Sequence, residues 1–329
     1  MAVGRCATAA WAKPPDSVFS FDPRRSAVIC GAILLAMASG CGGAGKKIEP
    51  GEGASIADQM AAAQREAAPG DRARQLIRVG QKQTQMKDLG GASETFSLAA
   101  RAAGEVLDPE SRASVFNSLA KVQAQADDRL AAGRSLTQAE AAVAKIDKPQ
   151  LRATALASLA GAQATLRSKS VALDTLQAAE RIAGELPDPA SQTDVLLTIA
   201  AAYKRLEDND DARQAIDAAL TAADKITDDR ARSRALGEAG KSLQGLGQND
   251  RSLTVFDRAL ASARKIGAQL SQAYALKEIA VQIWDSGQRE KAREILGEAE
   301  TAAKRVHEPD LQRQALDEIE RQRGALERH

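Results

Sequence analysis

Histidine and cysteine are scarce in this 329-residue chain, and their scarcity excludes several kinds of active site. The two histidines are His307 and His329, and the three cysteines are Cys6, Cys30 and Cys41. Histidine-based triads, cysteine–histidine pairs and metal centres with several Cys or His ligands need more of these residues than the chain contains. We therefore expect a protein that is not an enzyme and that holds neither a metal nor a cofactor.

An excess of charge of one sign is also lacking. The chain has 45 Lys+Arg against 44 Asp+Glu, which leaves a formal net charge of +1. Binding to nucleic acid typically requires a concentrated basic face, so we expect no nucleic-acid partner. Aromatic residues make up 3% of the chain and hydrophobic residues 44%. The core must therefore consist mainly of Ala, Leu, Ile and Val, which suits closely packed helices.

A short apolar stretch near the amino terminus has the layout of an export signal. Residues 27–39 are apolar or small, and Arg24 and Arg25 precede them. The stretch is too short to span a bilayer, which takes about 20 apolar residues. A charged region, a short apolar region and a small-residue end are the parts of a secretory signal peptide. We interpret the stretch as part of a Sec-type leader. Translation of the protein starts at Met1 or at Val18.

The end of the leader, Ala38-Ser39-Gly40-Cys41, resembles the lipobox of bacterial lipoproteins. A Gly-rich polar tether, residues 42–53, follows it. The resemblance implies cleavage before Cys41 and lipidation of its side chain, which anchors the protein in a bacterial envelope membrane on the periplasmic side. The outer membrane is favoured over the inner one. An ordinary cleaved signal, in which the cysteine is incidental, is the alternative.

The rest of the chain repeats every 40 residues without an insertion, which is typical of solenoid proteins. Positions are counted here from the first residue of each unit. Full units begin at Asp71, Ser111, Leu151, Ser191, Ala231 and Ser271, and a half unit begins at Leu311.

Two apolar stripes recur along these units. A large apolar residue stands at position 6, a mostly large one at position 9 and a small one at position 10; the second half has a small residue at position 22, a large one at 26 and alanine at 29. These spacings place each set on one face of a helix. Polar turns separate the halves, and pairs such as Asp108-Pro109 and Asp188-Pro189 begin the next helix. Each unit is thus predicted to be a helical hairpin.

The order of these residues resembles the tetratricopeptide repeat (TPR). In the sixth unit the family pattern is carried by Leu276, Ile279, Ala280, Ile283, Ala292, Leu296 and Ala299. The resemblance covers residues 71–329 and implies an all-α solenoid of antiparallel helix pairs, a right-handed superhelix with six full repeats and a C-terminal capping helix. The units exceed the usual 34 residues by about six, as in elongated variants of the family. HEAT repeats, whose period is similar, are the alternative.

Both ends of the repeat domain depart from the pattern. The half unit has Glu320 at position 10 and Arg323 at position 13, polar residues where a solenoid end meets solvent. Before the first unit, residues 56–68 are predicted to form a short degenerate helix. We therefore expect a signal peptide over residues 1–40, a lipidated cysteine with a tether and this short helix over 41–70, and the repeat domain over 71–329.

The resemblance also implies where a partner binds. In TPR proteins the first helix of each unit lines a concave groove, and alignment places its ligand-facing side chains at positions 4, 7, 11 and 14. These residues are small and mostly neutral in the second and third units. In the later units the candidate partner-binding residues are Lys204, Arg234, Lys241, Tyr274, Lys277 and Trp284. Trp284 is either a groove-facing hot spot or a residue that packs on the capping helix.

Other polar features predict ordinary roles. The acidic run Glu207–Asp211 lacks the glycine and the late glutamate of an EF-hand loop, and His307 lies in a turn without a recurrent polar partner. A hydrolase that acts on cell-wall material needs two converging carboxylates. Asp194 and Asp317 are too far apart in the repeat order to converge.

The expected function is that of a non-enzymatic scaffold or peptide-binding adaptor. The expected partner is another envelope protein or an extended peptide, and the membrane is contacted through the lipid anchor. Alternatives are an accessory lipoprotein of an outer-membrane assembly or secretion machine and, less favoured, a hydrolase of cell-wall or polysaccharide material or its accessory.

Overall fold

The computed structural model describes residues 55–328, and this part of the chain contains helices and short turns but no strand. The helices are α1 (Ile56–Arg65), α2 (Pro69–Gln85), α3 (Leu89–Gly104), α4 (Pro109–Gln125), α5 (Arg129–Val143), α6 (Pro149–Leu166), α7 (Lys169–Gly184), α8 (Pro189–Arg205), α9 (Asn209–Ala223), α10 (Asp229–Gly245), α11 (Asn249–Ala263), α12 (Gln269–Asp285), α13 (Arg289–Ala303) and α14 (Pro309–Glu327). The signal peptide and Cys41 lie outside the described residues.

The helices pair as the repeat predicts. The first and second helices of each unit, from α2 with α3 to α12 with α13, pack against each other along their length. Each first helix also contacts the first helix of the next unit and the second helix of the preceding one. The predicted all-α solenoid of helix pairs is thus confirmed, and the handedness of its superhelix stays a prediction.

Side-chain caps begin several of the first helices. The carboxylates of Asp108 and Asp188 accept hydrogen bonds from the backbone N–H groups of Ser111 and Ser191, at 2.8 and 2.9 Å. Hydrogen bonds from these serines hold the pKa of both carboxyl groups below the usual range. Proline occupies the first turn after each cap, where its missing N–H has no partner to lose. Glu308 also precedes a proline, but its side chain forms no cap hydrogen bond.

The turn inside five of the six hairpins has one residue in the left-handed region of backbone conformation. Position 17 has a positive φ in five units: Lys87, Asp127, Glu207, Gly247 and Gly287. The third unit is different, because Arg167 has a φ of −118° and α6 extends to Leu166. In the fourth unit the acidic run begins in this turn and continues into the first turn of α9, where Asp208 caps the helix by accepting from the N–H of Asp211.

Small residues permit the close helix contacts. Alanine at position 29 has no exposed surface in any of the six units: Ala99, Ala139, Ala179, Ala219, Ala259 and Ala299. Larger apolar side chains at positions 6 and 26 fill the space around them. Tyr203, predicted to pack at core position 13, is 1% exposed, and its burial beside Glu180 raises the pKa of its hydroxyl.

Polar contacts replace part of this core in the first two hairpins. The hydroxyl of Thr95 donates to Oε1 of Gln83, and the hydroxyl of Ser135 donates to Oε1 of Gln123, both at 2.7 Å. Tyr203, Leu243 and Ile283 stand at the position of these glutamines in the fourth, fifth and sixth units. The two helices of each of the first two hairpins are therefore joined by a side-chain hydrogen bond at a point where the fifth and sixth hairpins are apolar.

The ends of the repeat domain agree with the sequence pattern. Helix α1 covers the segment predicted as a degenerate helix, although it ends at Arg65. Helix α14 forms the cap, where Glu320 is exposed and Arg323 donates to Glu300 at 3.0 Å. None of the helices within residues 55–328 combines the length and the apolar character that crossing a bilayer takes.

Candidate functional site

The first helices expose one continuous strip of side chains, which we call the first-helix face. It consists of positions 4, 8, 11 and 15, because the residues at these positions are exposed or only partly buried in every full unit. Spacings of four, three and four residues keep the strip on one side of each helix. Since the first helices of neighbouring units touch, the strip runs from one unit to the next.

Position 7 does not belong to this face, contrary to the sequence-based expectation. The residues at this position are buried in five units: Ile77, Asn117, Ala157, Leu197 and Gly237. Asn117, which is 7% exposed, donates from Nδ2 to the carbonyl oxygen of Ser158 at 2.9 Å. The spacing of positions 4, 7, 11 and 14 thus misses the face by one residue at position 7, where position 8 is exposed or partly buried instead. Position 15 is exposed in all six full units, whereas position 14 is exposed or partly buried in five of them.

Trp284 is also not exposed, so the expectation that it faces the groove as a hot spot is wrong. The side chain is 7% exposed and belongs to the hydrophobic core. Two arginines of α13 lie against its ring, with Arg289 at 5.4 Å and Arg293 at 5.3 Å from the ring centroid. The indole of Trp284 is therefore covered by α13, whereas Lys204 at the same position of the fourth unit is exposed.

Two of the predicted groove cations are already paired with acids. Arg234 donates to both carboxylate oxygens of Asp194, at 3.2 and 2.9 Å. Lys277 donates to Glu318 of the capping helix at 3.0 Å, and only 19% of its side chain is exposed. The basic character predicted for this end of the face is therefore largely neutralised.

The other predicted residues are exposed to different degrees. Lys204 and Lys241 are exposed and form no ion pair with any residue between 55 and 328. Tyr274 is partly buried, and the ammonium group of Lys277 lies 5.4 Å from its ring centroid. The structure brings Arg234 and Tyr274 to a common cleft, which does not include Lys204, Lys241 or Trp284.

A cleft between α4, α6 and α8 is the most cationic part of the first-helix face. This basic cleft has a volume of about 570 Å³ and is lined by Lys121, Lys169 and Arg205, with Glu207 as its single acidic residue. Its floor is formed by small residues such as Gly161. Burial, together with repulsion from Arg205, lowers the pKa of the Lys121 ammonium group. An anion that binds beside Lys121 and Arg205 would relieve the repulsion between them.

A second cleft lies between α10 and α12. This tyrosine cleft has a volume of about 360 Å³, and its walls include Tyr274, Glu238 and Glu278. The two glutamates form no ion pair within the described residues. At its floor, a Cβ placed on Gly237 would lie 3.0 Å from Oε1 of Gln282. That oxygen is buried and accepts no hydrogen bond within residues 55–328.

The residues that sequence reasoning missed are those at positions 8 and 15. Glu238 and Glu278 occupy position 8, Arg205 occupies position 15, and Lys169 stands at the start of α7. The buried character of position 7 in most units, where Ile, Ala, Leu and Gly occur, was the available signal. It indicates an apolar contact between first helices and leaves position 8 for solvent.

No acidic or histidine cluster on this face suggests metal chemistry. Within residues 55–328 no group of three or more His, Cys, Asp or Glu side chains is arranged to hold a metal ion. Asp194, a carboxylate considered for hydrolysis, is held by Arg234 instead.

No family model matches the chain, and no curated protein matches it either. Solved structures that resemble it include Ton1535 from Thermococcus onnurineus NA1, with 16% identity over 79% of this chain and 94% of that one and a TM-score of 0.42. A putative kinesin light chain from Podosopora anserina, whose TPR-like repeats are nearly identical to one another, is 20% identical to this chain. The match covers 62% of this chain and 100% of that one, with a TM-score of 0.39. A Rap protein complexed with competence and sporulation factor has 14% identity over 83% and 80% of the two chains and a TM-score of 0.35.

Proposed function

We propose that this protein is a non-enzymatic scaffold whose first-helix face binds an extended segment of another protein. The observation that carries the proposal is the basic cleft, where Lys121, Lys169 and Arg205 converge with one acid among them. An acidic stretch of a partner would relieve the repulsion between these cations. The partner is therefore a protein whose bound segment contains Asp, Glu or a free carboxyl terminus.

The tyrosine cleft offers a second point of attachment on the same face. Tyr274 provides an aromatic surface with a polar end, a residue type that is enriched at the centres of protein interfaces. Glu238 and Glu278 would accept hydrogen bonds from backbone or basic groups of the segment. An extended chain that spans both clefts would lie along the first helices of units two to six.

A photo-crosslinking experiment tests the proposal. Benzoylphenylalanine is placed at Ser158, which is exposed in the basic cleft, or at Thr254, which is exposed on the second helix of unit five. After irradiation of cells, crosslinked proteins are identified by mass spectrometry. We expect a specific protein crosslinked from Ser158 but not from Thr254, and loss of that crosslink in a Lys121→Glu/Arg205→Glu variant. Equal crosslinking from both positions, or insensitivity to charge reversal, would contradict the proposal.

We also propose that the scaffold is tethered to a bacterial envelope membrane by a lipid on Cys41 and faces the periplasm. The support is the lipobox-like sequence before this residue and the polar tether after it. A bacterial lipoprotein carries several acyl chains, and two or more membrane signals give lasting attachment. A finer form of the proposal is an accessory lipoprotein of an outer-membrane assembly or secretion machine, which the identity of the crosslinked partner would test.

The anchor is tested by fractionation of a Cys41→Ser variant. We expect the variant to stay unprocessed or to become soluble in the periplasm, whereas the wild-type protein remains with the membranes. Cys30→Ser is the matched control, because this cysteine lies within the apolar stretch of the leader. Membrane association of a correctly processed Cys41→Ser protein would disprove lipid anchoring.

A further inference from the structure

Three arginines line a crevice that shares no residue with the two clefts of the first-helix face. This arginine crevice lies between the first and second units, has a volume of about 600 Å³ and receives Arg101 from α3, Arg112 from α4 and Arg134 from α5. Phe116, which is 4% exposed, is part of its floor. No acidic residue is among those that line it.

The charges of these arginines are not balanced by neighbouring acids. None of the three forms an ion pair with any residue between 55 and 328. Arg112 instead lies over the ring of Phe116, 5.9 Å from its centroid. At the same position in other units, Arg72 and Arg232 donate to the carbonyl oxygens of Glu66 and Ile226, at 3.2 and 3.1 Å. Within the part of the chain that the structure describes, Arg112 thus lacks the backbone carbonyl partner that Arg72 and Arg232 have.

The later repeats provide an internal comparison. Between the fourth and fifth units the corresponding crevice is closed by ion pairs of Arg251 with Asp217 and of Arg258 with Asp224. Lys291–Asp257 and Arg264–Glu298 close the next one, with N–O distances of 2.5 and 2.7 Å. In the first crevice, the equivalents of those paired residues are Ser97, Ala131, Gly104 and Gln138.

The gathering of three arginines is specific to this place. They occupy position 31 of one unit and positions 2 and 24 of the next, and every other junction between full units has at most one arginine at these three positions. Repeat packing therefore does not require them. Like charges that share a crevice raise the free energy of the folded chain unless an anion joins them.

A glutamine amide also lines the crevice. Gln123 is 3% exposed, and its Oε1 accepts a hydrogen bond from the hydroxyl of Ser135. The amide nitrogen of this lining residue is a further hydrogen-bond donor. The hydroxyl groups of Ser97 and Thr137 add further donors to the lining.

We propose that the arginine crevice binds a phosphoryl group. Guanidinium groups donate paired N–H bonds that match the oxygens of a phosphate, and a phosphate has more acceptor oxygens and more charge than a carboxylate. Three arginines, two hydroxyls and one amide nitrogen fit such a ligand better than a single carboxylate. The phosphoryl group belongs either to the headgroup of an anionic phospholipid or to a soluble phosphate compound, and the apolar floor at Phe116 accepts the remainder of the molecule.

Titration of the full-length chain in a non-ionic detergent tests the proposal. The probes are inorganic phosphate and, separately, phosphatidylglycerol added to the micelles, with calorimetry as the readout. We expect saturable binding of at least one probe and a loss of roughly ten-fold or more in affinity for an Arg101→Gln/Arg134→Gln variant, because the variant lacks two of the three charged donors. The probe that binds more tightly identifies the source of the phosphoryl group.

Two further variants make the result specific. Arg251→Gln/Arg258→Gln removes two arginines from an ion-paired crevice and is expected to leave phosphate binding unchanged. Ser97→Asp introduces an acid at the position of Asp217 and should abolish binding while the melting temperature stays the same or rises. Succinate, a dicarboxylate without a phosphoryl group, is titrated as a further control and should bind more weakly than phosphate. Absence of binding by both probes, succinate binding as tight as that of phosphate, or equal losses in the two arginine variants would each overturn the proposal.

Discussion

Gly240 of α10 lies directly against the ring of Phe256 in α11, so that a Cβ on the glycine would be 2.5 Å from Cε1 of the ring. Gly80 and Phe96 repeat the arrangement in the first unit. In the other four full units position 10 is alanine, and position 26 is leucine or isoleucine. The two positions therefore compensate each other in volume, and each hairpin keeps the same close approach of its helices.

This relationship predicts the effect of a methyl group at position 240. Gly240→Ala should destabilise the protein by about 1–3 kcal/mol through overpacking, partly offset by a gain of about 1 kcal/mol in helix propensity. Gly133→Ala, in a helix with open space around its Cβ, is the matched control and should be stabilising. Denaturant unfolding should also find that Phe256→Leu rescues Gly240→Ala. A Gly240→Ala variant as stable as the control would contradict the proposed compensation.

A larger side chain at position 29 should be costly wherever it is introduced. Ala219 has no exposed surface, and Ala219→Leu should reduce the free energy of unfolding by about 1–3 kcal/mol. The neighbouring Ala218 is exposed, so Ala218→Leu serves as the control and should have little effect. Thermal unfolding that gives the same midpoint for both variants would show that position 29 is not a close-packing site.

Trp284 should behave as a core residue. Trp284→Ala removes a large buried side chain, and such changes cost about 3–5 kcal/mol in folding free energy. Arg293→Ala removes the cation above the ring, an interaction of about 0.5–1 kcal/mol at an exposed site. It also removes ion pairs with the exposed Glu290 and Glu327, and exposed pairs of this kind contribute little. Urea titration followed by circular dichroism would separate the two. If the tryptophan variant unfolds at the same urea concentration as the wild type, the ring does not contribute to the core.

Acid should weaken the contact between α13 and the capping helix. Hydrogen bonds from Lys304 and Arg323 lower the pKa of Glu300, and the distances are 2.7 and 3.0 Å. A carboxyl group whose pKa is lower in the folded chain stabilises the fold above its unfolded pKa and loses this effect as the pH falls through the folded value. Stability should therefore decline as the pH falls below about 4.

The contribution of this carboxyl group can be isolated by substitution. Glu300→Gln should make the decline in melting temperature with falling pH shallower than in the wild type. Glu94→Gln, which changes an exposed glutamate without an ion pair among the described residues, should leave it unaltered. Identical pH profiles for the wild type and Glu300→Gln would rule out a role for Glu300 in acid sensitivity.

Most of the helical framework could be predicted from the sequence. The 40-residue period, the small residue at position 10 and the alanine at position 29 predicted the hairpins, and Ala219 and its counterparts are buried as expected. Asp108 and Asp188 cap the predicted helices. These features depend on residues within one unit, where the spacing of side chains around a helix determines which face is buried.

Only the tertiary structure decided which polar side chains remain free. Arg234 pairs with Asp194, forty residues earlier, and Lys277 pairs with Glu318 in the cap. Helical periodicity determines the face on which each of these residues lies, but the angle and offset between neighbouring helices determine which side chains meet. For the same reason the burial of Trp284 and the unpaired state of Arg101 and Arg134 became evident only when the helices were packed together, because both depend on contacts between helices that no single repeat contains.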